Sequence, residues 1–257
     1  MSFDPAAAAR YIADAHANRT PFDNVPEPIA PRTIEEAYAA QEALRDLWTP
    51  LYGPVGGLKI ATTTKVMQAL MGIDHPCGGV IYSKRIHTSP ATIRLADYMH
   101  VVMECELAVR VGRTFEPRAT PYTAEEARAG VAEVMAAFEL IEDRNADYKK
   151  SKATALICDN AWNAGIVLGA PKKVAPDLDL NGLQGRLTTG SGHHAGKTDD
   201  PMGALAWIAN LAASRGKPLA AGQVVITGSL IPTLPIAPGE TFAFEIDGVG
   251  SVSAAGA

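Results

Sequence analysis

The sequence predicts a β-rich α+β domain, and three features of its patterning carry that expectation. Helix signals crowd into the first fifty residues, the chain beyond Pro50 breaks into short apolar or alternating runs separated by Gly and Pro, and only a few capped helices interrupt those runs. A doubly wound sheet would instead alternate strand and helix throughout.

Taken in order, an Ala-rich segment from Pro5 to about Ala17 reads as the first helix, and Pro21 to Pro31 as the loop after it. The second helix opens at Thr33, spaced with Glu36 as a capping box, and Ile34, Ala37, Tyr38, Leu44 and Trp48 form its apolar stripe. Residues 99 to 111 alternate as a half-buried strand, with Val101, Met103, Cys105, Leu107, Val109 and Val111 on one face and Glu104, Glu106, Ala108 and Arg110 on the other. Thr123 with Glu126 is a second capping box and begins a helix expected to run to about Ala136, delivering the chain to a strand that carries Glu139. Asp200 as N-cap and Pro201 at the first helical position start a further helix, which carries Trp207 and ends near Gly216. Strands follow at Gln223 to Thr227, Thr241 to Ile246 and about Gly250 to Ala254. Asp247-Gly248 makes a turn, and Phe242, Phe244 and Ile246 alternate inward. No internal repeat or low-complexity segment is present.

With 257 residues, 47% hydrophobic and 20% charged, the chain can bury a full core. The formal net charge of -5 argues against a nucleic-acid surface, since phosphate binding needs concentrated Lys and Arg, and Lys149, Lys150 and Lys152 are the one basic cluster. The stretch Met1 to Arg10 has no basic segment followed by an apolar core, and no apolar run reaches about 18 residues, so neither export nor a membrane is indicated and the expected compartment is the cytosol. Cys77, Cys105 and Cys158 are odd in number and sit in apolar surroundings, so they read as small core residues.

The chemistry is concentrated on one strand face. Glu104 and Glu106 point the same way, and two like charges about 7 Å apart along a strand repel unless water screens them or a cation lies between them. Alone, the pair also suits an edge strand with solvated glutamates beside Arg110. A third carboxylate, Glu139, interrupts the run Ala137-Phe138-Glu139-Leu140-Ile141, whose neighbours otherwise suit a buried strand; a buried unpaired carboxylate is costly. Hard divalent cations take such oxygen ligands. His193-His194 with Asp199 and Asp200 make a much weaker zinc candidate, because adjacent residues of an extended segment point apart and Gly190 to Gly196 reads as a flexible loop. No phosphate loop, dinucleotide fingerprint or nucleophile elbow occurs.

Several segments stand in fixed order: Gly57-Leu58-Lys59-Ile60 with Thr63-Thr64-Lys65, Gly72-Ile73-Asp74-His75-Pro76 through Gly79-Val80, Glu104-Cys105-Glu106, Phe138-Glu139-Leu140-Ile141 with Asp143-Arg144, and Asp159-Asn160-Ala161 leading to Val167-Leu168-Gly169. Pro201 to Trp207, Thr227-Gly228-Ser229 and Pro238-Gly239-Glu240 complete the set, which covers roughly residues 30 to 254. In that order they resemble the 2-keto-4-pentenoate hydratase and 4-oxalocrotonate decarboxylase branch of the fumarylacetoacetate hydrolase superfamily. The resemblance implies a mixed β-sandwich roll, with residues 1–50 as a helical N-terminal segment and 51–257 as the catalytic domain. It also implies Mg²⁺ or Mn²⁺ held by Glu104, Glu106 and Glu139, the trio the charge argument had reached.

The implied activity is a metal-dependent hydratase that adds water to a short 2-hydroxy-2,4-dienoate to give a 4-hydroxy-2-oxo acid. Decarboxylation of a 2-oxo-enedioate, carbon-carbon hydrolysis of an acylpyruvate, or an inactive homologue serving as assembly partner are the alternatives. Lys59 and Asp74 match best as general acid and base, although unaided Lys59 reads as a snorkelling surface lysine and Asp74 as a turn residue. Thr63, Thr64, Gly228 and Ser229 could donate to a substrate carboxylate or could equally be turn residues. A homo-oligomer and association with a pathway enzyme are further implications. For a substrate with a second carboxylate, Lys149, Lys150, Lys152 or Arg144 are available. The chain departs from the family where relatives carry an acidic residue at the position of Ala155 and a small polar one at that of Trp162, which puts the substrate in question.

Overall fold

In the computed structural model, which describes residues 3–175 and 178–257, the N-terminal helices form as the sequence expects. Helix α1 spans Pro5–Ala17 behind an Asp4 cap, and α2 spans Ile34–Tyr52. Thr33 accepts the Glu36 N–H at 3.1 Å, but the Glu36 carboxylate takes the Arg32 N–H at 2.7 Å, so the expected reciprocal box is only half made. Helix α2 also continues through Pro50, two residues beyond the expected change of texture, and closes at Gly53. The later helices are short: α3 Lys65–Met71, α4 Ala124–Arg128, α5 Ala153–Cys158, and the longer α6 Pro201–Ser214.

Among the described residues thirteen strands make two sheets. They are β1 Val55–Ala61, β2 Cys77–Tyr82, β3 Ile86–Thr88, β4 Ala91–Ile93, β5 Val101–Val111, β6 Val131–Glu142, β7 Asn163–Leu168, β8 Lys172–Lys173, β9 Gln184–Thr189, β10 Gly192–Lys197, β11 Val224–Pro235, β12 Thr241–Ile246 and β13 Gly250–Gly256. The larger sheet runs β2-β1-β11-β5-β6-β7-β3, with β8 on the flank of β6, and the smaller runs β10-β9-β12-β13-β4. Parallel pairs (β1 with β11, β3 with β7, β4 with β13) sit among antiparallel ones, so the α+β, mixed-sheet expectation is met.

The main core lies between the sheets and under α6. Phe138 of β6 meets Phe242 and Phe244 of β12 at ring separations of 6.5 and 6.1 Å, and Met103, Cys105, Leu107, Val109 and Val111 of β5 face the same interior. A second apolar cluster lies where α1, α2 and α5 pack together, joining Ile12, Leu44 and Trp48 to Val102, Ile141, Leu156 and Trp162. All three cysteines are buried and unpaired.

Two expectations are corrected here. The capping box at Thr123 forms on both sides, but the helix it opens ends at Arg128, and residues from Val131 are already strand. Pairing of β6 with β5 from Val111↔Val131 to Val101↔Glu142 outweighs the helical leaning of that Ala-rich run, a tertiary preference that local pattern cannot register. The segment expected as a flexible loop is strand β10, paired residue for residue with β9, so His193 and His194 alternate across it and cannot converge on one ion. His193 Nδ1 lies 3.1 Å from the Thr188 hydroxyl.

Candidate metal centre and substrate cleft

Register brings the three acidic residues together. Glu104 and Glu106 alternate onto one face of β5, and Glu139 of β6 stands directly opposite Glu104 in the ladder. Carboxylate oxygens of the three lie within 4.8 Å of one another, and among the described residues no other group of three metal-ligating side chains does so. Glu106 and Glu139 are fully buried and Glu104 is half-buried, which excludes the solvated edge-strand alternative.

Each carboxylate is held by one oxygen. Glu106 Oε2 accepts the Gly228 N–H at 2.7 Å, Glu139 Oε1 accepts from Asn163 Nδ2 at 2.7 Å, and Glu104 Oε1 accepts from the Thr233 hydroxyl. Glu106 Oε1 and Glu139 Oε2 are buried without any hydrogen-bond partner. Orphaned buried carboxylate oxygens are expensive in a folded protein, and a cation is the partner that would satisfy them. The all-oxygen donor set suits Mg²⁺ or Mn²⁺. Cys105, between the two strand glutamates, faces the opposite side.

Strand β11 supplies the Gly228 donor through irregular pairing. Its register against β5 shifts on both sides of Ser229, and Gly228 adopts φ +116, which lets the backbone N–H turn toward Glu106. Lys59 projects from β1, 2% exposed, with Nζ 2.8 Å from Glu139 Oε1 and 3.0 Å from the Ala161 carbonyl. That carbonyl is aimed by three successive left-handed residues, Asn160, Ala161 and Trp162 at φ 50, 47 and 58. The Asn160 amide locks the turn to β2, accepting from Val80 N at 2.7 Å and donating to Val80 O at 2.9 Å. Strained backbone held this firmly is characteristic of functional sites.

Electrostatics follow from the packing. Three carboxylates and one ammonium leave the cluster with two uncompensated negative charges when all are ionised, which a divalent cation balances. Burial raises the Glu106 carboxyl well above the usual range, and Glu139 and Glu104 add to it against the Gly228 N–H and Lys59. Burial likewise raises Glu139, opposed by Lys59. For Lys59 burial pulls down, yet the summed carboxylates prevail and hold the ammonium charged.

Above this floor opens a cleft of about 540 Å³. Lys59, Thr63, Thr64, Gly228 and Ser229 all line it, as do Glu104 and Thr233. The Ser229 hydroxyl already donates to Ile231 O at 2.6 Å, and Thr64 caps α3 by accepting from Met67 N at 3.3 Å. Asp74 is not brought in: it is exposed in the turn after α3, where its backbone carbonyl accepts from Lys65 at 3.3 Å. Arg144 is buried against Asp159 and the Thr20 carbonyl, Lys150 pairs with Asp147 at 3.1 Å, and neither they nor Lys149 and Lys152 line the cleft. Ala155 is buried within α5 and does not line the cleft.

Sequence reasoning missed Asn163, Thr233 and the Ala161 carbonyl. Asn163 lies two residues past the Asp159-Asn160-Ala161 segment and was within reach of that motif. Thr233 was hidden because β11 runs to Pro235, eight residues past the expected end at Thr227.

The fumarylacetoacetate (FAA) hydrolase C-terminal family model matches residues 67–255. A 2-keto-4-pentenoate hydratase of Paraburkholderia xenovorans (strain LB400) is 30% identical over 253 residues, 95% of this chain and 92% of that one. A 4-oxalocrotonate decarboxylase of Pseudomonas sp is 32% identical over 201 residues, 77% of each chain. Among solved structures, 4-oxalocrotonate decarboxylase from Pseudomonas putida G7, complexed with magnesium and adipate, superposes with a TM-score of 0.89 at 23% identity over 98% of this chain and 97% of that one. With its acidic trio set across β5 and β6 and with these relatives along nearly its whole length, the chain belongs to the fumarylacetoacetate hydrolase family.

Proposed function

We propose that the protein is a divalent-metal-dependent hydratase that adds water to a 2-hydroxy-2,4-dienoate through its 2-oxo-enoate form, giving a 4-hydroxy-2-oxo acid. The observation that carries this reading is an acidic trio with free buried oxygens, reached through Glu104 from a cleft in which, among the described lining residues, Lys59 is the only cationic side chain. A 2-oxo-enedioate bears a second carboxylate at its far end, and that end would need a cation which the described lining residues do not offer beyond Lys59. Hydration of a monocarboxylate is therefore favoured over decarboxylation. The relatives described as 2-keto-4-pentenoate hydratases support the same choice.

Mg²⁺ or Mn²⁺ held by Glu104, Glu106 and Glu139 would supply Lewis-acid stabilisation of negative charge as it develops on the substrate's 2-oxygen. The Lys59 ammonium has three protons, two of them committed to Glu139 and Ala161, and the third is free to reach a substrate oxygen or carry a proton to the chain. Thr63 and the backbone around Gly228 and Ser229 would orient the substrate carboxylate. Asp74 stands outside the cleft in this conformation, so the proton-transfer role is proposed for Lys59. Asp74→Asn is expected to leave turnover within about threefold, against the roughly 100-fold loss of a removed general acid. A homo-oligomer acting in the cytosol belongs to the same reading, and no described helix is long and apolar enough to cross a membrane.

The direct test is incubation with Mg²⁺ and freshly generated 2-hydroxypenta-2,4-dienoate. Loss of dienol absorbance with formation of 4-hydroxy-2-oxopentanoate is expected. Carbon dioxide release from an oxo-enedioate would replace this reading with decarboxylation, and silence with all 2-oxo acids despite bound metal would favour the assembly role.

A further inference from the structure

The lining of the cleft is chemically of two kinds. Its polar part includes Lys59, Glu104, Thr63, Ser229 and Thr233. Its apolar part includes Met67, Met71, Ile141, Leu156 and Trp162, and all five belong to the apolar cluster under α1, α2 and α5 rather than to the core between the sheets. Packed within one cluster, these five side chains make the apolar wall of the cleft. Trp162 is its fixed point, 5% exposed, with edge contacts to Phe22 at 5.0 Å and Tyr148 at 5.1 Å, and with its backbone set by the Asn160 lock. Tyr148 is held in turn by its hydroxyl, which donates to Asp143 at 3.0 Å.

A five-carbon acid whose carboxylate and 2-oxygen face the acidic floor leaves this wall uncovered. The cleft, at about 540 Å³, falls in the range of roughly 300–1,000 Å³ that encloses much larger ligands. Apolar side chains lining a cleft beside a polar anchor are a specificity element, because each methylene they remove from water strengthens binding by about fourfold.

We propose that the Trp162 wall is a subsite for an apolar substituent at the distal end of the substrate, so that the protein takes 2-oxo acids and 2-hydroxydienoates bearing an alkyl or aryl tail in preference to the unsubstituted five-carbon acid. This rests on the hydratase reading for the reaction but not for the binding, and the two are tested separately. Calorimetry of the Mg²⁺-loaded full chain with 2-oxopentanoate, 2-oxooctanoate and 2-oxoadipate reads the subsite. The expected result is an affinity for 2-oxooctanoate at least about tenfold above that for 2-oxopentanoate, with 2-oxoadipate weakest. Equal or falling affinity with tail length overturns the proposal.

Trp162→Ala should flatten the length dependence. Because that indole also packs against Phe22 and Tyr148, a second variant guards against misfolding: Met67→Lys, on the partly exposed face of α3. It should weaken 2-oxooctanoate and strengthen 2-oxoadipate, each by about tenfold, and no change in either would again overturn the subsite. Tail-dependent binding without turnover of any dienoate would remove the hydratase reading and leave the subsite standing. Turnover of dienoates with binding blind to tail length would do the reverse.

Discussion

Replacing Glu106 by Gln separates a metal ligand from an ordinary buried hydrogen-bond acceptor. The side chain is fully buried, with Oε2 on the Gly228 N–H at 2.7 Å and Oε1 without a partner. The amide keeps the carbonyl oxygen for Gly228 and offers an NH₂ toward Glu139 Oε2, itself unpartnered. What the substitution removes is charge. The ligand oxygens lie within 4.8 Å of one another, and each like-charge pair at that separation costs about 3 kcal/mol at an effective dielectric of roughly 20. Protonation of the metal-free site and the Lys59 ammonium already relieve most of this, leaving about 1–2 kcal/mol for the variant to recover. Metal-free Glu106→Gln should therefore melt roughly 2–8 °C above the parent. Saturating Mg²⁺ at about 100 times its Kd stabilises the parent by about 2.7 kcal/mol, roughly 5–11 °C, and should move the variant by less than about 2 °C. Scanning calorimetry with and without Mg²⁺ reads all four values. A variant that melts lower without metal and still responds fully to Mg²⁺ would refute the assignment of Glu106 as a ligand.

Further outcomes follow from the same geometry. Lys59→Met leaves the buried carboxylates without their cation and should lower the metal-free melting point by about 6–12 °C, the consequence of losing about 3 kcal/mol; Mg²⁺ should restore most of it but not the turnover. An unchanged melting point would mean that Lys59 does not pair with Glu139 in solution. Because burial and like charge hold Glu106 and Glu139 above the usual carboxylate range, their protonated forms favour the metal-free fold, a contribution present at low pH and lost as pH rises through the raised values. Mg²⁺ must displace those protons, so its affinity should rise with pH and binding should release protons. Calorimetric heats that do not vary between buffers of different ionisation enthalpy would contradict this. Asn160→Ala removes both bonds to Val80 and should cost about 1–3 kcal/mol while freeing the Ala161 carbonyl from Lys59. Turnover should fall more than Mg²⁺ affinity, and an equal fall in both would place the effect on the metal site instead.

Much of this protein is local, and what is local is legible in the sequence. Period-two alternation fixed which side of residues 101–111 carries Glu104 and Glu106, because a one-residue slip would bury the wrong set. The caps at Thr33, Thr123 and Asp200 marked three helix starts, since each side chain satisfies N–H groups only a few residues away. The carboxylate that interrupts the apolar run at 137–141 joined Glu139 to that pair, and the family resemblance then added Lys59.

Tertiary structure decided the rest. Whether residues 131–136 continue a helix or pair with β5 depends on a partner strand twenty residues or more away in the chain, and the ladder wins by burying Val134 and Ala136. Strand β10 forms because β9 lies beside it, not because of its own Gly-rich composition. The cross-strand meeting of Glu104 with Glu139, the Gly228 N–H on Glu106, the Ala161 carbonyl on Lys59 and the exposure of Asp74 are all distances between segments remote in sequence. The sequence by itself determined which residues could bind a cation, through charge and periodicity. Only the packing of β1, β11, β5, β6 and β7 determined that their oxygens converge, are buried and lack other partners, because burial and register are properties of the assembled sheet rather than of any one strand.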